Sequence, residues 1–547
     1  MPQKGTKITN GFSCALCASL WLILFALFSW PLSVIAQRQD PFLDDLQQRS
    51  FRYFWEQADP QTGLVPDRAR MDGSSLPPSH QNVASIAATG FGLTALCIAA
   101  DKGWVEQAQA RERTRNTLRF FDARAFQQRG WFYHWMDAKT GERRWNSEVS
   151  SIDTALLLAG VLTVRQCFRD DQEITRLAGR IYRRVDFRWM LNGDPLLFSH
   201  GWKPETGFLR PRWDTYSEDT ILYLLAIGSP ASPISAASWY ALWRDRYRYE
   251  GHSYFTTIGV PLFMHQYAHA WIDYRNRRET RGDRIDYFQN SIAATLAHRA
   301  FCINLSHEFP AFGPDMWGIT ASDSAKGYLA WAGPPRDPDL DGTVVPSAAG
   351  GSLMFTPELS LRALRTMQEK YGDRIYGKYG FVDAFNPNTG WIDTDVIGIN
   401  VGIILLSAEN MRTGNIWRWF MQNREIPLAM QRIGLIKYKL LTGRHLNTIF
   451  ANMSTENMKD EARRLLDRLP DNLTWDELMH EISVRQAIEA GLADSQAGRT
   501  LGVAEVRERF RRRPPRMQLS REEVLKRMKE FSKRKEQFLA AARAGKS

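Results

Sequence analysis

The 547-residue chain is 44% hydrophobic and 24% charged, with 38 Gly and 25 Pro, a balance that excludes wholesale disorder or a fibrous repeat. Its formal charge of +11 is concentrated at one end: the last 47 residues carry 15 Lys/Arg against 6 Asp/Glu, so the rest is nearly neutral and gives no case for a nucleic-acid-binding body. Five cysteines are too few for a disulfide framework, and Cys97, Cys167 and Cys302 sit in apolar helical patterns as ordinary buried thiols.

Residues 1–36 open with Lys4 and Lys7, run through apolar Phe12 to Trp30 and end Val34-Ile35-Ala36. These are the three parts of a secretory signal peptide, so export to the periplasm or beyond is expected. An uncleaved leader would instead serve as an N-terminal membrane anchor.

Between residues 40 and 440 one pattern recurs: an aromatic, Gly-rich loop, a Ser/Thr/Asp cap, then a small-residue-rich apolar run with helical spacing. Such runs begin at Ser85, Ser151, Ser217 and Thr394, and are apolar nearly all round, as in helices packed on both sides. Amphipathic stretches intervene, such as Glu106 to Phe121, Gln172 to Phe187 and Pro357 to Tyr371. Strand signals are sparse. The pattern predicts an all-α fold, an (α/α)6 barrel of inner and outer helices, with a helical C-terminal extension.

In such a toroid the inner-helix N-termini, with their unpaired N–H groups and favourable dipole ends, face a cavity framed by the aromatic loops. Two starts carry carboxylates beside tryptophan: Trp145-Asn-Ser-Glu148-Val-Ser-Ser-Ile-Asp153 and Trp213-Asp214-Thr-Tyr216-Ser-Glu218-Asp219. Glycoside hydrolysis needs one carboxyl kept protonated and another ionised, and aromatic burial against helix N–H donors can separate the two. On the residues alone, Asp153 and Asp219 are equally helix caps, and Glu148 and Glu218 equally surface carboxylates. His265, His269 and Asp273 fall at i, i+4 spacing, which predicts one helix face. Without a Glu after the first His or a nearby Cys, that face is read as hydrogen bonding to sugar hydroxyls or loops, and neither metal nor cofactor is expected. Trp317 to Asp323 and Tyr379 to Asp383 are further polar-aromatic loops suited to a sugar cleft.

The segments Phe51-Arg-Tyr-Phe-Trp-Glu, Trp145 to Gly160, Arg184 to Met190, Gly201-Trp-Lys-Pro-Glu-Thr-Gly-Phe-Leu, His265 to Asp273, Trp317 to Asp323 and Tyr379 to Phe385 resemble the bacterial glycoamylase-like domain. That resemblance spans residues 37–441 and implies an (α/α)6 barrel. It also implies the chemistry of endo-β-1,2-glucanases and of a domain of cyclic β-1,2-glucan synthases. By motif position, Glu218 matches the glutamate proposed as proton donor and Glu148 a catalytic-site glutamate. Asp153, Trp202, Asp214, Tyr216, His265, Tyr267, His269, Trp317, Asp323 and Asp383 are then expected to bind an oligo- or polysaccharide. Two departures stand out: Ser217 and Asp219 flank the second glutamate where relatives often have Asn and Ala, and Asn400-Val401-Gly402 replaces Asp-Gln-Gly. A second adjacent carboxylate is expected to raise Glu218 by like-charge repulsion. The alternative reading is a non-catalytic glucan-binding or transglycosylating protein.

After residue 441 the chain turns Arg/Lys/Glu-rich. Residues 456–510 resemble small addiction-module antitoxins, with Thr474 and Glu477 at capping-box spacing, which implies either a vestigial fusion or a module for a protein partner.

Overall fold

The computed structural model describes residues 40–257 and 259–438; the expected leader and the charged tail lie outside the described residues. By contacts the chain divides into one unit that contains residues 40–437 and a second, Tyr438–Val524. Among the described residues no helix is long and apolar enough to cross a membrane.

Ten helices of eight or more residues occur among the described residues: α1 Pro41–Gln57, α2 Ile86–Lys102, α3 Gln107–Ala123, α4 Ser151–Cys167, α5 Gln172–Arg184, α6 Thr220–Gly228, α7 Tyr287–Asn304, α8 Pro357–Tyr371, α9 Gly398–Arg412 and α10 Glu425–Arg432. They fall into two classes. In α2 every residue from Ile86 to Ala100 is buried, and in α6 all nine are. In α5 the buried residues form a stripe, Ile174, Leu177, Ala178, Ile181 and Tyr182, at the spacing of one helix face. The all-buried helices pack in the order α9, α2, α4, α6, and the striped α1, α3 and α5 lie against them. The inner and outer helix sets expected from hydropathy are therefore present over this part of the chain.

The α2–α4 contact is made backbone to backbone. A Cβ on Gly90 would stand 2.2 Å from the Leu156 carbonyl oxygen, and a Cβ on Gly160 would stand 2.2 Å from the Gly90 carbonyl oxygen. No side chain fits between the two helices at either point.

Short strands, hidden from the hydropathy pattern, precede the inner helices. Val83–Ser85 runs into α2 and pairs with Trp135–Asp137; Val149–Ser150 runs into α4 and pairs with Gly201–Lys203; Asp395–Ile397 runs into α9 and pairs with Arg68–Arg70. Each ribbon hands its strand directly to a helix, with the Ser85 and Ser150 side chains accepting from Ala88 N and Asp153 N as N-caps.

One expected element is corrected. His265, His269 and Asp273 do not share a helix face, because Leu262–His265 is a 3-10 turn, the α-helix covers only Tyr267–Trp271, and Asp273 lies beyond it, paired with Arg275 at 2.8 Å.

Replacing Gly160 by Ala is expected to lower unfolding stability by about 3 kcal/mol, since the added methyl meets rigid backbone. Urea denaturation of Gly160→Ala, beside an exposed-helix Ala control, measures it.

Candidate active site

Three groups of polar side chains collect where the ribbons meet the inner helices. The first surrounds His134, whose backbone N–H donates to the Glu148 carbonyl at 3.0 Å while its own carbonyl accepts from Ile86 N. With the main chain held, Nδ1 lies 3.1 Å from Glu148 Oε1 and Nε2 lies 3.4 Å from Asp153 Oδ1. Ser150 completes the group: its hydroxyl accepts from Asp153 N and donates to Asp153 Oδ2 at 2.6 Å. Asp153 is thus a first-turn residue of α4 rather than its cap.

The second group is Glu218–Asp219 at the start of α6. Both are buried, Asp219 completely. Asp219 Oδ1 accepts from Ser217 N at 3.1 Å, whereas Oδ2 is buried without a hydrogen-bond partner. Burial and then the charge of Glu218 push the Asp219 carboxyl well above its ordinary range. Like-charge repulsion between the adjacent carboxyls thus acts on Asp219, the more deeply buried of the two.

The third group lies at the start of α9. Asn400 Nδ2 donates to Asp383 Oδ1 at 2.6 Å, and Asp323 N donates to Asp383 Oδ2 at 2.8 Å. Beside them Arg68 Nη1 pairs with Asp323 Oδ2 at 2.6 Å and with Asp395 Oδ2 at 3.4 Å, and Arg70 pairs with Asp395 Oδ1 at 2.8 Å. Acidic charge still exceeds basic charge. Burial, then Asp323 and Asp393, raise Asp383 well above the carboxylate range, and burial with Asp323 pushes Asp393 up to about 7.

Tyr267 joins the groups. Its hydroxyl donates to Asn400 Oδ1 at 3.1 Å. Burial and the neighbouring Tyr328 raise its pKa, followed by the charges of Glu218, Asp383 and Asp153, so all three groups act on this one hydroxyl.

Of the expected site residues, Glu148, Asp153, Glu218, Tyr267, Asp323 and Asp383 are thus brought together. Trp202 is half-buried beside Trp189 on the strand that pairs with Val149, and Asp214 is exposed. Four other expected residues are buried in packing contacts. His265 is buried between Tyr216 and Tyr254 with Nε2 3.1 Å from Thr256 Oγ1; His269 is buried against Tyr274 and Phe355 with Nε2 3.0 Å from Ser291 Oγ. Burial, helped by a neighbouring histidine in each case, pushes both to about 3. Tyr216 packs against His265 and Tyr287, and Trp317 is fully buried in a hydrophobic cluster with Phe301, Met316 and Trp331.

The sequence reading missed His134, Arg68, Asp393 and Asp395. Asp393 and Asp395 precede α9 as Glu148 precedes α4, and that parallel was their available signal. Among the described residues two clusters have metal-ligand spacing, His134–Glu148–Asp153 and Asp323–Asp393–Asp395. In the first both ring nitrogens already face carboxylates, and in the second Arg68 occupies two of the three groups.

The profile of the family described as "Putative glucoamylase" matches residues 211–424. A solved structure described as a putative glucoamylase from Bacteroides caccae is 30% identical, with 73% of this chain and 100% of that one covered at a TM-score of 0.67. The chain belongs to the glycoamylase-like family. Another glycoamylase-like structure, the endo-β-1,2-glucanase of Chitinophaga pinensis with sophorotriose and glucose, is 29% identical, covers 73% of this chain and 98% of its own, and gives a TM-score of 0.68. The exo β-1,2-glucooligosaccharide sophorohydrolase of Parabacteroides distasonis is 27% identical over 436 residues, covering 73% of this chain; the chain spans 58% of that relative's length.

Within this glycoamylase-like domain Arg68 is the main counter-charge of the third group. Arg68→Gln leaves two buried carboxylates short of a partner and is expected to cost about 3–5 kcal/mol of stability, read from urea denaturation at pH 7.

Proposed function

We propose that the protein is a glycoside hydrolase that cleaves β-1,2-linked glucan. The observation that carries this reading is the convergence of Asp153, Glu218 and Asp383 on Tyr267 at the starts of inner helices, with Glu148 joined to Asp153 across His134, in a chain whose relatives include β-1,2-glucan hydrolases. In this reading Glu218 protonates the glycosidic oxygen as the bond to the anomeric carbon breaks. Glu148 is the second carboxylate, acting on water directly or through a substrate hydroxyl. Asp153, Tyr267, Asp323 and Asp383 hold sugar hydroxyls, and Trp202 and Asp214 belong to the outer cleft. Residues 37–441 form the catalytic domain, closed as an (α/α)6 barrel, and the leader directs it to the periplasm or outside the cell.

A second reading, a glucan-binding or transglycosylating protein, is favoured by Asn400, which puts an amide at a position where a carboxylate would offer a further base. The two readings separate on one assay. The full-length protein, incubated with linear β-1,2-, β-1,3-, β-1,4- and α-1,4-glucans, is expected to release reducing ends from the β-1,2 polymer alone. Glu218→Gln and Glu148→Gln are each expected to lower that turnover by about 10²–10⁴-fold with unchanged circular dichroism. Saturable binding of β-1,2-glucan with no new reducing ends would favour the second reading.

A further inference from the structure

A neutral imidazole has one N–H and one lone pair, and an ionised carboxylate can only accept. His134 presents a ring nitrogen to a carboxylate oxygen on each side, Nδ1 to Glu148 at 3.1 Å and Nε2 to Asp153 at 3.4 Å. With both carboxylates ionised, both contacts are attractive only when both nitrogens carry protons. A neutral ring would turn a lone pair toward one of the two oxygens. We propose that His134 is a positioning residue whose imidazolium bridges Glu148 and Asp153 and holds them as a pair of ionised carboxylates. The proposal rests on the reading of Glu148 as the second carboxylate of a hydrolase.

The surroundings of the ring agree. Its face stacks on Trp135 with ring centroids 3.4 Å apart, and its main chain is tied to Glu148 and Ile86, so the ring plane is fixed between its two partners. Asp153 Oδ2 accepts from Ser150 Oγ, and Asp153 sits in the first turn of α4, where the helix dipole also favours the anion. Among the charged groups that act on the ring, Asp153, Glu148 and Asp67 are acidic. Burial opposes the cation, yet these carboxylates outweigh it and the His134 pKa is raised. His265 and His269 show the contrast: they are more deeply buried, at 3% and 2% exposed against 12% for the His134 side chain, only burial and a neighbouring histidine act on them, and they fall to about 3. For catalysis the bridge separates the two carboxyl roles. One carboxylate is held ionised by a fixed cation, while the proton donor sits at a different helix start.

Two measurements test this on the full-length protein. The first is a ring NMR titration of its ten histidines, in which the His134 signal is identified by its absence from His134→Gln. The signal is expected to titrate above the ordinary histidine value of about 6.5, and to lose that elevation in Asp153→Asn and in Glu148→Gln. A midpoint at or below 6.5, or one unmoved by those variants, overturns the proposal. If His134→Gln does not fold, the signal that shifts in both carboxylate variants supplies the assignment.

The second is the pH profile of kcat/KM on β-1,2-glucan. Without the cation the Glu148–Asp153 pair holds a proton to higher pH, so in His134→Gln the acid limb is expected to move up by about one unit. A loss of equal size at every pH would mark His134 as scaffold only and overturn the assignment. Should wild-type protein cleave no glucan, the functional reading fails, and the NMR titration still decides the bridge.

Discussion

The approach of α2 to α4 at Gly90 and Gly160 is the constraint on which the rest depends. Because carbonyl oxygens occupy the space where two methyl groups would otherwise stand, the helices meet at main-chain distance. That spacing brings the strands entering them, Val83–Ser85 and Val149–Ser150, close to the segment around His134: Val83–Ser85 pairs with Trp135–Asp137, and the His134 main chain bonds to both Ile86 and Glu148. Wider packing would separate the ribbon that carries the imidazole from the helix start that carries the carboxylates. The geometry of the polar groups is therefore inherited from an apolar contact that touches none of them.

Charge balance is the second organising influence. The site gathers more buried carboxylates than cations, and the structure accommodates the excess differently in each group. Around α4 a histidine faces both acids. At α6 depth drives one carboxyl toward the neutral form. At α9 two arginines on one strand neutralise Asp323 and Asp395, leaving Asp383 and Asp393 raised. Burial and neighbouring charge thus shift some of these acidic groups upward, a step toward separating acid and base roles at one pH.

The inner helices were legible in the sequence because fifteen consecutive buried positions, as in α2, leave no polar face to misplace. Glu148, Asp153 and Glu218 were legible because they sit at helix starts, which carry cap signals. His134 and Arg68 were not, since Arg68 lies on a strand of three residues and His134 in the bend between two strands of two and three residues, too short for an alternating pattern to register. The histidine pair failed for a different reason. Spacing of i, i+4 marks one face only if the turn between is α-helical, and the 3-10 turn at Leu262–His265 rotates each residue further and sends both rings into the core. Burial of the rings, which decides between ligand and filler, is a tertiary property.

The pairing of Arg68–Arg70 with Asp395–Ile397, together with the packing of α1 on α9, has a consequence for how the chain is made. The partners Arg68 and Asp395 are 327 residues apart, so during synthesis the first helices emerge long before the strand that completes them. Until then the apolar flank of α2 that will receive α9 has no cover, and Arg68 has neither of its distant carboxylates. Closure of such a remote contact is slow relative to local helix formation, and the nascent protein passes through a stage with exposed apolar surface. The last inner helix to be translated is thus the one that seals the first.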